Sequence, residues 1–486
     1  MLVAVLPLMG FWLTGLFDLD EGFYAAVVGE MNRRGEWITP FYNGAPWFEK
    51  PILLYWVSKP CVLLFGEMWG PRMPSILSAI SVYFLIFWAV NKRYGQLAAS
   101  YSVLFLSGSL LMIGVSRMML ADGLLGVSLV AAMLFYFESL ETPGKNRWLV
   151  GLFLGLTVLA KGPVGILLFI IVSIFTIWLM PSLRKGYRGG WAVAFVAMSL
   201  VIASWYWPVY QANGQVFVQK FLIEQNIGRF TGGDKAHTDT FLRGFLLYLG
   251  IMLIGAAPWI YKLPNALKTI KPEDYFLKFC AIWGLSILGF FTISSAKLPH
   301  YILPALPPLA ILVGVMVARN RTEAGAMGVS LKLLRGPIVW SVLMCAIANL
   351  GFGVYYFGAK IDAFGIKTEI EGLHSEVHGL AREARAMNLD VAAFQLPRRE
   401  KALGTGGTKL QETSHPTLAF YLGRPFIAAE TIEDLTHPHK EILVITRQNR
   451  VTPKIAKSLS DLGYALSPVN TLTKQRNYRL FRLMPL

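Results

Sequence analysis

The chain has 486 residues, of which 55% are apolar and 15% charged, and its formal net charge is +16. A soluble globular protein carries about 25% charged residues, and a disordered one is poor in apolar residues, so both classes are excluded. Most of the length is better accounted for by membrane spans of roughly 20 apolar residues each. Residues 358–486 carry 18 Lys+Arg and 13 Asp+Glu. The larger part of the positive excess therefore lies in the apolar region. There it reads as a topology signal and not as a nucleic-acid surface. Cys61, Cys280 and Cys345 all sit in apolar runs, in a pattern that fits neither a disulfide framework nor a metal site.

Apolar runs predict eleven spans: 1–17, 71–90, 97–115, 120–138, 148–160, 163–180, 191–210, 243–262, 275–294, 300–318 and 336–357. The first lacks a basic flank, which would fit a start upstream of Met1. Residues 20–35 show Phe23, Val27 and Met31 at a spacing of four, extended by Tyr24 and Val28, and Gly35 closes the run. This predicts an amphipathic helix on the membrane surface. The segment 51–66, with Lys59 and Pro60 at its middle, is expected to be a re-entrant or interfacial helix. One set of alternate connections, from Lys92 and Arg93 to Arg335, holds 15 basic and 5 acidic residues, and the other set holds 12 and 11. Lys and Arg mark the cytoplasmic side. Residues 18–70, 211–242 and 358–486 are then expected outside.

Beyond residue 358 the apolar runs stop. A helical pattern, strand-like VAAFQL and EILVIT, the helix TPKIAKSLSDLG and a final YRLFRL predict a small C-terminal α/β domain over 358–486, after a transmembrane domain over 1–357. GTGG within 400–415 lacks the strand, helix and Lys of a phosphate loop.

Ionisable residues at the ends of spans carry a cost and usually have a function. On the outer side these are Asp20 and Glu21 after the first span, Glu49 and Lys50 in WFEKP, and Asp122 at the start of the fourth span. Lys161 in LAKGPVG, Arg229 and His237 in an outer loop, and Lys297 and His300 in SSAKLPHYILP complete the set. A lone Asp before a helix is often an N-cap, and Asp122 fits that pattern, while a lone Lys at a span end usually snorkels. Six segments delivering such groups to one level of the bilayer point instead to a cavity beside Pro-broken helices. Its acids can orient or deprotonate a hydroxyl. Lys50, Lys161, Arg229 and Lys297 can hold a phosphate by charge-assisted hydrogen bonds. A lipid phosphate presents its head at this depth. A transporter would place its site near the midplane and show internal repeats.

DEGFYAAVVGEMNRRGEWITPFYNGAPWFEKPILLYW, SRMMLADGLL, LAKGPVG, QNIGRF with GGDKAH, SSAKLPHYILPALPPLA and TLAFYLGRP together resemble bacterial polyprenol-phosphate-dependent glycosyltransferases of the GT-C class. The family most similar in motif moves 4-amino-4-deoxy-L-arabinose from undecaprenyl phosphate to lipid A, and it is related to the protein O-mannosyltransferases. The resemblance implies a polytopic helical fold of about 11 to 13 spans, with interfacial helices in the first periplasmic loop and a C-terminal periplasmic α/β domain. It implies an inner-membrane enzyme that inverts the sugar, takes a polyprenyl-phosphate donor and a lipid A or similar acceptor, and needs no metal, cofactor or nucleic acid. By position Asp20 becomes the acid that orients the acceptor, with Glu21 its neighbour and Asp122 a second acid. Lys50 becomes a donor-phosphate ligand, joined by Arg229, Lys161 and Lys297. Glu49, Tyr24, His237, His300 and Tyr301 become substrate contacts. The chain departs from the family pattern at Ile52, where a second Pro is usual, and at TDTFLRGF after His237.

Overall fold

The computed structural model describes residues 2–12, 16, 20–227, 241–294, 297–323, 331–361, 379–395, 416–471 and 478–486. Arg229, His237 and the 400–415 segment lie outside these residues. The chain forms two compact units. The first comprises residues 1–11, 48–57 and 72–351, and the second 12–47, 58–71 and 352–486.

The first unit is helical. Its elements are α1 (Leu2–Val5), the start of α3 (Leu53–Trp69), α4 (Met73–Ser107), α5 (Leu110–Ser116), α6 (Ala121–Glu141), α7 (Arg147–Lys161), α8 (Val164–Leu179), α9 (Ala192–Phe217), α10 (Phe241–Gly255), α11 (Leu263–Lys268), α12 (Tyr275–Ile293), α13 (Leu306–Glu323) and the greater part of α14 (Leu331–Ile361). The second unit holds α2 (Asp20–Arg34), the hairpin β1 (Phe41–Tyr42) and β2 (Ala45–Pro46), and the rest of α3.

Among the described residues five helices are long and apolar enough to cross a membrane, or six when one bent pair counts as a span. Burial separates core from periphery. Ala121–Glu141 and Pro299–Thr322 have 89% of their apolar windows buried inside the protein, against 17% for Ala192–Glu224. Small residues permit the close helix crossings expected when helices pack in lipid. A Cβ on Gly151 of α7 would lie 1.9 Å from the Ala194 carbonyl oxygen of α9. A Cβ on Gly314 of α13 would lie 2.3 Å from Ser102 Oγ of α4.

The structure corrects two of the expected spans. Residues 243–262 do not run straight, because Gly244–Gly255 and Trp259–Lys268 meet at 107°. Pro258 stands at that break, where it removes a backbone donor and crowds the preceding turn. In 1–17, the described residues form only α1 and a 3₁₀ turn, Leu6–Leu8, around Pro7. Non-helical backbone in an apolar setting needs its carbonyls satisfied, and two buried arginines do this. Arg117 donates to the carbonyls of Pro7 (2.9 and 2.5 Å) and Met9 (2.5 Å). Arg72 donates to that of Phe11 (2.5 Å). Arg117 is thus a tether.

In the second unit, the hydrophobic stripe of α2 is buried as expected, but the residues between are buried too, Glu21, Ala25, Ala26 and Glu30 included. The helix is enclosed, not laid along a surface. Phe23 stacks on Trp47, with Tyr42 packed against both rings. Gly35, at φ +66°, ends the helix. Lys59 of α3 donates to the backbone carbonyls of Met31 and Glu36, and its ammonium lies 4.0 Å from the centre of the Trp37 ring.

The chain beyond residue 378 adds α15 (379–386), β3 (Asp390–Phe394), α16 (Thr417–Leu422), β4 (Ile427–Ala429), α17 (Ile432–Thr436), β5 (Ile442–Arg447), α18 (Pro453–Asp461), β6 (Tyr464–Pro468) and β7 (Tyr478–Pro485). The sheet order is β4-β3-β5-β7-β6. β3 pairs parallel with β4 and β5, whereas β7 is antiparallel to β5 and β6. Ala392, Phe394, Ile442, Val444, Leu459 and Leu483 form the core on one face of this sheet. Thr431 and Asp434 cap α17 reciprocally, and Thr452 caps α18.

Candidate active site

Three helix breaks in the first unit set up one charged cluster. Gly162, at φ +80°, and Pro163 end α7, so Lys161 is its last residue. Leu120 is the N-cap of α6 in extended conformation, which puts Asp122 inside the first turn. Asp122 therefore does not cap the helix. Its charge favours the positive helix end, while its side chain stays available to other partners. Leu298 is extended, as a residue before proline tends to be, and Pro299–Ala305 is a 3₁₀ turn that carries His300 and Tyr301.

These breaks bring four predicted residues together. Lys161 Nζ lies 2.5 Å from Asp122 Oδ1. His300 Nε2 is 3.6 Å from Asp122 Oδ2. The Lys161 ammonium also sits 4.2 Å from the centre of the Tyr301 ring, a cation–π distance. The Asp122 carboxylate is only 7% exposed, with Lys161 at 17% and His300 at 20%. A carboxylate so enclosed is costly unless paired, and here it faces the Lys161 ammonium and the His300 imidazole. Lys50 adds a further favourable charge at Asp122. Glu49 and Lys50 are half-buried between fully packed neighbours. Phe48 stands edge-on to Phe217, with centroids 5.4 Å apart, and Ile52 is buried.

Lys297 does not bond to the Asp122 carboxylate. It donates to the Ser294 carbonyl, and its stem packs so closely on Gly244 that a Cβ there would lie 2.0 Å from Lys297 Cε. In the second unit Glu21 and Tyr24 are buried, and Asp20 is the first residue of α2. Among the described residues no three His, Cys, Asp or Glu side chains gather as a metal cage. Near the cluster lies a small apolar cavity of about 20 Å³, which Ser78, Gly123, Gly126, Val130 and Leu303 line. The hydroxyls of Ser75, Ser78 and Ser116, which also line it, are bonded to backbone carbonyls and leave it apolar in character.

Residues 49–207 match the family described as dolichyl-phosphate-mannose-protein mannosyltransferase. An undecaprenyl phosphate-alpha-4-amino-4-deoxy-L-arabinose arabinosyl transferase of Shewanella sediminis is 30% identical over 358 residues, 71% of this chain and 62% of that one. An uncharacterised protein of Aquifex aeolicus is 31% identical over 357 residues, 73% of this chain and 77% of that one. The crystal structure of ArnT from Cupriavidus metallidurans bound to undecaprenyl phosphate superposes with a TM-score of 0.74 at 19% identity, covering 99% of this chain and 96% of that one. The chain is related to the uncharacterised Aquifex protein over most of both lengths, and it shares the fold of ArnT. It is a polytopic helical membrane protein, and the match to ArnT establishes its fold. It spans less than two thirds of the length of the arabinosyl transferases it matches first.

Within this chain, sequence reasoning named every member of the Asp122 cluster but assigned them separate tasks. It did not find that Lys161 and Asp122 are partners. Thirty-nine residues separate them, and no local spacing signals a contact made by two antiparallel helix ends. It also missed the structural work of Lys59, Arg72 and Arg117. For Lys59 and Arg72 the one legible signal was position beside Pro60 and Pro71, whereas Arg117 has no such neighbour.

Proposed function

We propose that the chain is an inverting glycosyltransferase that moves a sugar, 4-amino-4-deoxy-L-arabinose, from an undecaprenyl-phosphate donor to lipid A or a similar envelope glycolipid. The reaction takes place at the periplasmic face of the bacterial inner membrane. The observation that carries this reading is the enclosed cluster of Asp122, Lys161, His300 and Tyr301 with Lys50 near it, in a chain whose relatives are named for that transfer. Breaking the bond between sugar and phosphate turns a phosphodiester into a monoester and adds negative charge to the leaving group. Lys50 and Lys161 are suited to receive that charge in a site of low dielectric. Arg229 and Lys297 are further phosphate ligands in this reading. Asp20 orients the acceptor, with Glu21 beside it. An acceptor that is already a phosphate needs little deprotonation, so Asp20 then positions more than it abstracts. Attack opposite the leaving phosphate inverts the anomeric centre. Tyr24, Glu49, His237, His300 and Tyr301 contact the sugar or acceptor.

Domain division follows the same reading: a membrane domain over 1–357 with about 11 to 13 spans, then a periplasmic α/β domain over 358–486. The match of residues 49–207 to the mannosyltransferase family favours a second reading, with protein Ser or Thr as acceptor. Mass spectrometry of lipid A and of periplasmic proteins from a deletion strain separates the two. Loss of a pentosamine from lipid A supports the first, and loss of a hexose from proteins supports the second. In membranes supplied with labelled undecaprenyl-phosphate sugar, Asp20→Asn is expected to abolish transfer. Lys50→Ala is expected to weaken donor binding by about 1.5–3 kcal/mol, the worth of one charge-assisted hydrogen bond. Transfer at the wild-type rate by Asp20→Asn removes that residue from the mechanism.

A further inference from the structure

We propose that the C-terminal α/β region is the positioning element of α2, the helix that begins with Asp20 and Glu21, and that it acts through Asn43 and one small-residue face. The proposal rests on the reading of Asp20 as the acid that orients the acceptor.

Gly22, Ala26 and Gly29 are spaced by four and three residues and therefore share one face of α2. That face packs on the turn into α16. A Cβ on Gly22 would lie 2.8 Å from Pro416 Cγ and 3.0 Å from Thr417, and one on Gly29 would lie 3.2 Å from the Phe420 ring. Thr417 and Phe420 are buried in turn. The two backbones are thus set at a distance that only small residues on α2 permit.

A second link runs through the β1–β2 hairpin. Asn43 sits at its tip with φ +48°, and it grips the backbone of Phe426 at both ends. Its Nδ2 donates to the Phe426 carbonyl (3.1 Å), and its Oδ1 accepts from the Phe426 N–H (2.9 Å). Phe426 immediately precedes β4, an edge strand of the sheet. The next hairpin residue, Gly44, donates its N–H to Glu30 of α2 (3.1 Å), whose other partner is Arg34 (2.7 Å). Glu30 is 3% exposed. A continuous line of hydrogen bonds therefore runs from the sheet through the hairpin tip to α2. The helix is held at two points, by packing on α16 and by the Asn43–Gly44–Glu30 chain. Placement of a reacting group within about 1 Å is worth up to two orders of magnitude in rate, so a module with no reacting group of its own can still control turnover.

The test uses the full-length protein. Asn43→Gly keeps the left-handed backbone but deletes both bonds to Phe426. It should lower kcat for sugar transfer roughly 10- to 100-fold with KM for the undecaprenyl-phosphate sugar unchanged, which is how a misplaced acceptor-orienting group behaves. Asn43→Asp keeps the acceptor and loses the donor, so its kcat should fall between the two. A second readout needs no sugar. Ala26→Cys lies on the packed face of α2, and its reaction with a maleimide should be slow in the otherwise native chain and faster when Asn43→Gly is added. An unchanged labelling rate overturns the proposal, because the hairpin then does not hold α2. Faster labelling with wild-type kcat also overturns it, because the placement of α2 then does not set turnover. If Asn43→Gly fails to fold, Asn43→Asp carries both measurements. A wild-type protein that transfers no sugar defeats the proposed reaction, whereas the labelling comparison still decides whether the α/β region holds α2.

Discussion

The two ends of α6 bury carboxylates in contrasting ways. Asp122 and Glu138 are sixteen residues apart on one helix, about 24 Å at 1.5 Å per residue. At the far end each acid has its own cation. Lys92 pairs with Glu138 at 2.6 Å, and Asn146 donates to the same carboxylate at 3.2 Å. Arg93 pairs with Glu141 at 2.6 Å while its guanidinium lies on the Phe276 and Phe137 rings. Nearby, Arg319 grips Asp274 by two bonds of 2.7 and 2.8 Å. This is a network of matched pairs that ties α4, α6, α12 and α13 together. At the Asp122 end one carboxylate is shared between Lys161 and His300, and the lysine rests on an aromatic face. The far end thus holds closed pairs, whereas this end holds one carboxylate between an ammonium and an imidazole. In the proposed reading Lys161 is the group that can turn from Asp122 to a phosphate.

The contrast breaks most sharply at Asp122. Asp122→Ala leaves Lys161 and His300 without their shared anion, and transfer of labelled sugar should fall by roughly 100-fold or more. A variant with normal transfer would make this end as structural as the other. The next largest effect belongs to the matched pairs. Asp274→Ala orphans Arg319 and should cost about 2 kcal/mol in a detergent unfolding curve, since two charge-assisted bonds are lost. Sugar transfer per folded molecule should not change. Lys92→Ala is milder, because Lys92 is half exposed and Asn146 still serves Glu138, and about 1 kcal/mol is expected from the same curve. The smallest effect is on acid stability. Hydrogen bonds from Arg319 hold the Asp274 carboxyl below the usual carboxylate range. A depressed value means that the stabilisation is complete above the unfolded-state pKa of about 4. It is lost as pH falls further, through the folded value. Stability followed from pH 6 to pH 3 should drop more in the native chain than in Asp274→Asn. Equal slopes would show that the pair contributes nothing to acid sensitivity.

Much of the scaffold was legible because lipid imposes long apolar runs. The helices at 120–138, 163–180 and 275–294 were expected within a few residues. Breaks were legible where Gly and Pro stand together, as at Gly162 and Pro163, and this is why Lys161 could be singled out. The bend at Pro258 was harder to see, because apolar residues continue across it and composition is blind to direction. The α2 stripe was read correctly from its period. Its enclosure was not, since the residues that cover it, Pro416, Thr417 and Phe420, lie nearly 400 positions away. TLAFYL, which is α16, is too short and too uniformly apolar for either period to declare itself.

By itself, the sequence determined that this chain lives in a membrane, where most of its helices lie, and which ionisable residues are out of place there. These are consequences of solvation, and solvation acts residue by residue. Tertiary structure alone decided the pairing of charges. Lys161 with Asp122, Arg319 with Asp274 and Arg117 with the carbonyls of Pro7 and Met9 are each contacts between distant segments. A charge buried in a helix bundle has no local preference for a partner. It takes the one that helix packing brings within hydrogen-bond reach, and that packing is a property of the whole fold.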